Sequence, residues 1–381
     1  MRTPLAALLV LLASVAAHAE PPKVTAARCP DAGVQPQLAA DDAGHLHLVY
    51  LKGPDAGAVD VVYRRSDDAG RTWSAPIRVN SQPGAAIAAG TVRGAHLALG
   101  ANGRPHVAWM GSKDSTPKGP GDSTPLLYAR LNDAGDAFEP QRNLITSHPG
   151  LDGGGSIAAG PDGAVYVAWH APTPGLKGEA NRGVWVAVSK DHGKTFAPET
   201  PALKDSTGVC GCCGMRVAVA ADGKLVTLYR AANDRTRDIY VVDSPGGSAA
   251  PGAKLSDWPA KTCPMSTAAL VPTADGTLAA YEHAGDVRLA RLKDGQPAGD
   301  PVSPPGNAMS RKHPTLAVAK DGTILLAWDE GTGWKKGGTM KWQAFDKTLK
   351  PIPTATGTGP NEPAWSLPAV AATKDGFVVL Y

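Results

Sequence analysis

The sequence predicts an all-β fold, a β-propeller whose blades have four strands each. Three observations lead to this prediction. A hairpin pattern recurs seven times, the chain is rich in turn formers with 44 glycines and 34 prolines, and no window shows sustained helical periodicity. The copies are spaced by roughly 46 to 60 residues, which suits one four-stranded blade per repeat.

Each repeat consists of an apolar strand, a turn that contains glycine, and a second apolar strand that ends in an aromatic residue. Clear copies run from Ala95 to Trp109 and from Ser156 to Trp169. Asn-Gly and Asp-Gly pairs favour tight hairpins because their backbones reach positive φ easily. The seven turn glycines are Gly44, Gly103, Gly163, Gly223, Gly276, Gly322 and Gly376.

Seven hairpins predict seven blades. An N-terminal strand near residues 24–28 would complete the last blade and close the ring, and six blades is the alternative if one terminal hairpin lies outside it. In a propeller the first strand of each hairpin is innermost and starts at the top face. The loops before these strands therefore gather at one mouth of the central channel, where we expect the functional residues.

The first 19 residues have the pattern of a signal peptide. Arg2 precedes an apolar run from Leu5 to Ala17, and a small-x-small cleavage site ends at Ala19. We therefore expect a single propeller domain over residues 20–381 that is periplasmic or secreted. A net charge of +3 without a basic run argues against nucleic acid, and no later segment is apolar enough to span a membrane. A monomer is expected.

The cysteines provide the main indication of function. Three of the five lie in Gly208-Val-Cys-Gly-Cys-Cys-Gly-Met-Arg216, and a fourth lies in Cys-Pro-Met-Ser. Both stretches precede the inner strands of neighbouring blades, so their sulfurs should meet at the channel mouth. Thiolates and thioethers select Cu(I) first, with zinc as the alternative. The predicted metal ligands are Cys210, Cys212, Cys213 and Cys263, with Met265 and His313 as auxiliaries.

Disulfides without a metal are the alternative, since five cysteines in an exported protein normally indicate them. Cys263 would then pair with one of the three clustered cysteines, and Cys29 with another. A bridge between Cys212 and Cys213 would be a strained ring, so these two are expected to act separately. The sequence leaves both interpretations open.

Two turns between the hairpins resemble a known repeat. Ser66-Asp-Asp-Ala-Gly-Arg-Thr-Trp73 and Ser189-Lys-Asp-His-Gly-Lys-Thr-Phe196 resemble the Asp box of the sialidase superfamily, and 131–138 and 243–248 are degenerate versions. The resemblance covers nearly the whole mature chain and implies a sialidase-like propeller whose box turns are structural and face away from the active site. The Cys-x-Cys-Cys motif and Arg311-x-His313-Pro add a narrower resemblance to exported bacterial sialidase-like proteins.

The resemblance implies a second candidate function, a sialidase-like glycoside hydrolase. A sialidase needs three arginines, and the position of the first reads Val34-Gln-Pro-Gln37 here, without one. Whether the chain is an enzyme therefore stays open. The third candidate is a non-catalytic module that binds a small ligand, a glycan or a periplasmic protein at the top face. The candidate catalytic residues of the top loops are Arg93, Arg230, Arg237, Glu282, Arg311 and Glu330.

Overall fold

The structure is a computed structural model, and it describes residues 20–233, 235–243, 252–260, 263–308 and 310–381. The expected signal peptide lies outside these residues, and so does most of the degenerate turn at 243–248. None of the helices in the described ranges is long and apolar enough to cross a membrane.

The described residues form seven sheets, which are the blades of a seven-bladed β-propeller. Six sheets have four strands, each hydrogen-bonded to the next along the chain. After β1 (Val24–Ala27), the first three blades are β2 (Val34–Ala40), β3 (Leu46–Asp55), β4 (Ala58–Ser66) and β5 (Ile77–Arg78); β6 (His96–Leu99), β7 (Pro105–Met110), β8 (Leu126–Arg130) and β9 (Arg142–Asn143); and β10 (Ser156–Ala159), β11 (Val165–Pro172), β12 (Arg182–Ser189) and β13 (Thr200–Pro201).

The remaining blades follow the same order. They are β14 (Arg216–Val219), β15 (Leu225–Arg230), β16 (Ile239–Asp243) and β17 (Ala253–Ser256); β18 (Ala269–Thr273), β19 (Gly276–His283), β20 (Asp286–Lys293) and β21 (Gln296–Pro297); β22 (Arg311–Val318), β23 (Ile324–Glu330), β24 (Thr339–Phe345) and β25 (Pro351–Asn361); and β26 (Ala369–Thr373) with β27 (Gly376–Leu380).

The two ends of the chain share the seventh blade. β1 pairs in parallel with β27, with Val24 opposite Phe377 and Ala27 opposite Leu380. The N–H of Cys29 then donates to the carbonyl of Tyr381 at 2.8 Å. The N-terminal strand therefore closes the ring as the sequence predicts, and the number of blades is seven rather than six.

The core is divided into layers between neighbouring blades. The inner strands β2, β6, β10, β14, β18, β22 and β26 contact one another around the channel. The aromatic residues near the ends of the second strands pack outward, each against the preceding blade, and truncating one to alanine would cost about 3–5 kcal/mol. These buried residues are Tyr50, Trp109, Trp169, Tyr229, Tyr281 and Trp328.

The two turns with the Ser-x-Asp-x-Gly-x-Thr pattern have the same internal hydrogen bonds. Asp68 accepts from the Ser66 hydroxyl at 2.8 Å and from the Thr72 N–H and hydroxyl at 2.8 and 2.6 Å. Ser189, Asp191 and Thr195 repeat this arrangement at 2.7, 2.9 and 2.6 Å. Both turns follow a third strand, so they lie at the face opposite the cysteine loops and stabilise the blade edge.

Candidate metal centre

Four cysteine sulfurs lie together in the loops that lead into β14 and β18. The Sγ atom of Cys210 is 3.3 Å from that of Cys263, 3.4 Å from that of Cys213 and 3.9 Å from that of Cys212. The sulfurs of Cys213 and Cys263 are 3.7 Å apart. We call these four residues the cysteine cluster. Thiolates around one tetrahedral ion stand about 3.8 Å apart, because each metal–sulfur bond is about 2.3 Å.

All cysteines of the cluster are free thiols in the structure. The sulfurs of Cys210, Cys212 and Cys263 lie within 4.8 Å of one another, so this group can hold a metal ion. Cys210 and Cys213 are buried, whereas Cys212 and Cys263 are partly accessible. The cluster is therefore open to solvent on one side, which gives an ion a route to it.

Backbone turns bring three of these sulfurs to one point. Gly208 has a φ of +72°, and a side chain there would collide with the carbonyl oxygen of Ala232. The N–H of Cys210 donates to the carbonyl of Arg230 at 2.9 Å, and the N–H of Cys213 donates back to the carbonyl of Cys210 at 3.4 Å. The glycine thus permits the close approach that the sulfur geometry requires.

Glu179 holds the cysteine loop from the neighbouring third blade. Its carboxylate accepts from the N–H of Gly211 at 3.0 Å and from the guanidinium of Arg237 at 3.0 Å. Its backbone carbonyl accepts from the N–H of Val209 at 3.0 Å. The sequence analysis did not identify Glu179, because it lies in the long loop between β11 and β12 and belongs to no motif. Arg237, a candidate catalytic residue, is engaged in this ion pair.

The second loop carries Cys263 and contacts the first directly. The N–H of Met265 donates to the Cys263 sulfur at 3.3 Å, a bond that favours the charged thiolate. The N–H of Gly214 donates to the carbonyl of Ser266 at 3.2 Å. Lys312 also donates to the carbonyl of Pro264 at 2.6 Å. Met265 therefore supports the cluster through its backbone.

His313, the second predicted auxiliary, is buried beside the cluster. Its Nδ1 accepts from the N–H of Thr267 at 3.3 Å, which places the proton of the neutral ring on Nε2. Burial lowers the pKa of His313 to about 3, while the negative charge of Cys213 acts in the opposite direction. The ring is thus neutral at physiological pH, with its one unprotonated nitrogen already used.

The four thiols are electrostatically unequal. The contact with Cys210 lowers the pKa of Cys212 to about 4, and the contact with Cys212 raises the pKa of Cys210 above its ordinary value. Burial raises the pKa of Cys213, but its contacts with Cys210 and Cys263 and the nearby charge of Arg230 lower it overall. The contact with Cys210 lowers the pKa of Cys263, but its contacts with Cys212 and Cys213 raise it overall. Cys212 and Cys213 therefore carry thiolate character at neutral pH, which is the form that binds metals.

The buried groups near the cluster that lack full hydrogen bonding in the described part of the chain include an imidazole and a carboxyl. The Nε2 atom of His170 and the Oε2 atom of Glu282 have no partner there. Burial lowers the pKa of His170 to about 4 and raises that of Glu282 to about 7. Arg182 donates to Nδ1 of His170 at 3.0 Å, so the ring directs an N–H toward its surroundings.

The four candidate arginines do not form one shared clamp, and among these described residues only Arg230 and Arg237 are linked by a hydrogen bond. Arg311 is buried and pairs with Asp286 at 3.1 Å and with Glu330 at 3.3 Å. Arg230 donates to the carbonyls of Arg237 and Glu282 at 2.9 and 2.8 Å. Its guanidinium lies over the ring of Trp258. Arg93 lies 3.4 Å from the carboxylate of Asp152. These guanidinium groups orient top loops and do not face one common point.

Cys29 lies apart from the cluster. It is 1% exposed and packs with Tyr50 and Leu380 in the core between the seventh and first blades. Burial raises the pKa of its thiol to about 12. The structure therefore does not bring Cys29 within reach of the other cysteines, and the alternative in which it bonds one of them is not formed.

A large groove of the described surface lies elsewhere. It has a volume of about 950 Å³ and lies between the first two blades at the face opposite the cysteine cluster, where Asp68, Arg104 and Asp133 contribute to its lining. Its walls are hairpin turns and one of the Ser-x-Asp-x-Gly-x-Thr turns. The converging thiols, rather than this groove, define the candidate site.

No family model matches the chain, and no curated protein matches it. Solved structures do resemble it. A protein of unknown function from Dyadobacter fermentans aligns with a TM-score of 0.51 and 16% identity over 78% of this chain and 90% of its own. An α-L-arabinanase from Penicillium chrysogenum, complexed with arabinobiose, aligns with a TM-score of 0.50 and 16% identity over 78% of this chain and 89% of its own.

A sialidase from Trypanosoma rangeli, in complex with the inhibitor DANA, aligns with a TM-score of 0.52 and 11% identity over 79% of this chain and 53% of its own. The chain thus matches about half of that enzyme's length. The structural neighbours include propeller glycoside hydrolases, and at these identities the likeness shows the propeller fold alone.

Proposed function

We propose that the protein is an exported binding protein for a soft metal ion, with Cu(I) favoured over zinc. Cys210, Cys212, Cys213 and Cys263 supply the thiolate ligands. The observation that carries the proposal is the convergence of four free thiols, with the Cys210 sulfur 3.3 to 3.9 Å from the other three. Disulfide braces would need bonded pairs instead of a four-sulfur group.

The chemistry of the donors favours a soft ion. The cluster consists of sulfur, and thiolates select Cu(I) and zinc over hard cations such as magnesium and calcium. The neighbouring imidazoles of His170 and His313 each have Nδ1 occupied by a hydrogen bond, so neither ring offers a lone pair without a change of tautomer. A site made of sulfur alone suits a soft ion such as Cu(I), with zinc as the alternative.

The surroundings of the cluster stabilise an anionic metal–thiolate complex. The guanidinium of Arg230 lowers the pKa of Cys213. The N–H of Met265 donates to the Cys263 sulfur, and such outer contacts orient ligands and tune their basicity. Cys212 and Cys263 are partly accessible, so ligand exchange with a donor or acceptor of copper can take place at that side.

The test begins with the full chain, including residues 1–19, expressed in a bacterial host grown with copper. We expect the protein in the periplasmic fraction with Glu20 as its first residue, about one copper per chain, and cluster thiols that react only after the metal is removed. A matched Cys29→Ala variant should keep the copper and Cys213→Ala should lose it. Metal-free protein with its cluster thiols in disulfides would overturn the proposal.

A glycoside hydrolase is the second candidate. Its support is the buried carboxyl of Glu282 beside the channel mouth, whose pKa burial raises to about 7, a value suited to a general acid. Release of the fluorophore from sialoside or arabinoside substrates, abolished in Glu282→Gln, would favour it. A non-catalytic module that binds a glycan or a protein predicts neither metal nor turnover.

A further inference from the structure

We propose that the central channel binds a small monovalent anion, such as chloride, at Arg216, His96 and Ser156. This site lies below the cysteine cluster, on the inner strands themselves. The inference does not depend on the proposed metal function, because it rests on residues of the channel wall and on their charge.

The channel is a small space whose lining carries one fixed charge. Its volume is about 160 Å³, and residues from the inner-strand regions of all seven blades line it. Among the described residues of this lining, Arg216 is the one that is charged at neutral pH, since His96 is held neutral. The remaining lining is apolar or uncharged, with Gln37, Ser156, Thr267 and Thr315 as polar members.

No carboxylate of the described residues balances the charge of Arg216. Burial is the one cause that shifts its pKa, to about 10, so the guanidinium stays protonated at neutral pH without an acidic neighbour. Nη1 donates to the carbonyl of Met215 at 2.9 Å and lies 3.3 Å from both ring nitrogens of His96. Arg216 is partly exposed, and none of its guanidinium nitrogens is among the buried atoms that lack a partner, so an anion in the channel can reach the group.

The neighbouring groups supply further donors. Burial and the charge of Arg216 lower the pKa of His96 well below its ordinary value, so the ring is neutral and keeps one N–H. The Ser156 hydroxyl accepts from the N–H of Val217 at 3.0 Å, which leaves its own proton free to donate. A guanidinium, an imidazole N–H and a hydroxyl together make a site for an anion and not for a cation.

The balance of charge specifies the class of anion. One arginine neutralises one negative charge, and a dianion would leave an unpaired charge in the channel. The small volume excludes large organic anions. The channel should therefore select halides over sulfate and over gluconate.

Crystals of the full mature chain soaked in sodium bromide provide the direct test, since bromide scatters anomalously. We expect a bromide peak in hydrogen-bond contact with the Arg216 guanidinium, which chloride competes away. The same peak should be absent in Arg216→Gln. A channel without a bromide peak in the wild-type protein would overturn the proposal, and this readout does not require any variant to fold.

Thermal unfolding gives the second readout, at constant ionic strength in sodium bromide or sodium gluconate. At a bromide concentration ten times the dissociation constant, binding multiplies the folding equilibrium constant by about 11. Bromide should therefore stabilise the wild-type protein and the exposed-charge control Arg71→Gln, but not Arg216→Gln. Equal stabilisation of all three proteins would contradict the site.

Discussion

The sulfurs of Cys210 and Cys263 lie 3.3 Å apart although 53 residues separate them in the sequence. They meet because each precedes the inner strand of its blade, and these strands, β14 and β18, are neighbours around the channel. The order of the blades around the channel thus brings the thiols of two loops that are distant in sequence to one place. Contacts from the neighbouring blades keep the cysteine cluster in this arrangement.

Replacing one central ligand should weaken Cu(I) binding strongly. Cys210 contacts all three other sulfurs, so Cys210→Ala removes the residue on which the cluster converges. We expect an affinity loss of at least about 100-fold, measured by competition with a Cu(I) chelator. Cys29→Ala is the matched control, because Cys29 is equally buried but lies in another core. An unchanged affinity in Cys210→Ala would exclude a four-thiolate site.

Glu179 is a positioning residue, and its loss should reduce affinity without changing the ligands. Glu179→Gln weakens the bonds to the Gly211 N–H and to Arg237. We expect a Cu(I) affinity lower by roughly 10-fold, with the same thiolate-to-metal absorption band as the wild type. Glu139→Gln breaks a similar ion pair with Arg130 in the second blade and should leave affinity unchanged. A changed absorption band in Glu179→Gln would mean that Glu179 does more than position the loop.

Two buried carboxyls at the sixth blade should make stability depend on pH. Asp329 and Glu362 are 0% and 5% exposed and face each other, and burial raises the pKa of Glu362 to about 7 from its ordinary 4.5. The folded state therefore binds protons more tightly than the unfolded chain. The stabilising effect of protonation is complete below about pH 4.5 and is lost as the pH rises through about 7.

Glu362→Gln should remove most of this dependence. The free energy of unfolding of the wild type, less that of the variant at the same pH, should fall by on the order of 2 kcal/mol between about pH 5 and pH 8. Buried histidines such as His170 and His313 have lowered pKa values and act in the opposite direction, but they act alike in both proteins and cancel in this difference. Urea unfolding across this range measures the difference. Asp300→Asn, a change at an exposed carboxyl, should follow the wild-type curve. A difference between wild type and variant that stays constant or rises over this range would contradict the assignment.

The serine of each Ser-x-Asp-x-Gly-x-Thr turn should contribute to stability and not to metal binding. Ser66 is 1% exposed, accepts from the N–H of Gly70 at 2.8 Å and donates to Asp68. Ser66→Ala and Ser189→Ala should each lower the free energy of unfolding by about 1–2 kcal/mol. The exposed control Ser147→Ala should be near neutral, and copper stoichiometry should be unchanged in all three variants. Loss of copper in Ser66→Ala would contradict a purely structural role.

The architecture could be predicted from the sequence because it depends on local patterns. The turn glycines, the alternation of short apolar strands and the closing strand near Val24 all follow from residues close together in the chain. The seven blades and the meeting of Cys210 with Cys263 then follow from repeat register. The sequence left open whether the terminal hairpin belongs to the ring, and the structure places it there as part of the seventh blade.

Contacts between distant loops could not be predicted from the sequence. Glu179 reaches Gly211 across 32 residues, and no motif marks either end of this bond. Arg216 was part of the cysteine motif, but its position in the channel without a carboxylate depends on the inner strands around it. The sequence suggested that the arginines of the top loops form one cluster, whereas Arg237 and Arg311 each pair with a carboxylate of the preceding blade.

The central claim is that the thiols of the cysteine cluster bind copper. X-ray absorption at the copper edge, on protein isolated with its metal, tests this claim most directly. The account predicts Cu(I) with a first shell of sulfur at about 2.3 Å and no nitrogen or oxygen at bonding distance. A shell of nitrogen or oxygen ligands, or the same spectrum from a Cys210→Ala variant, would contradict it.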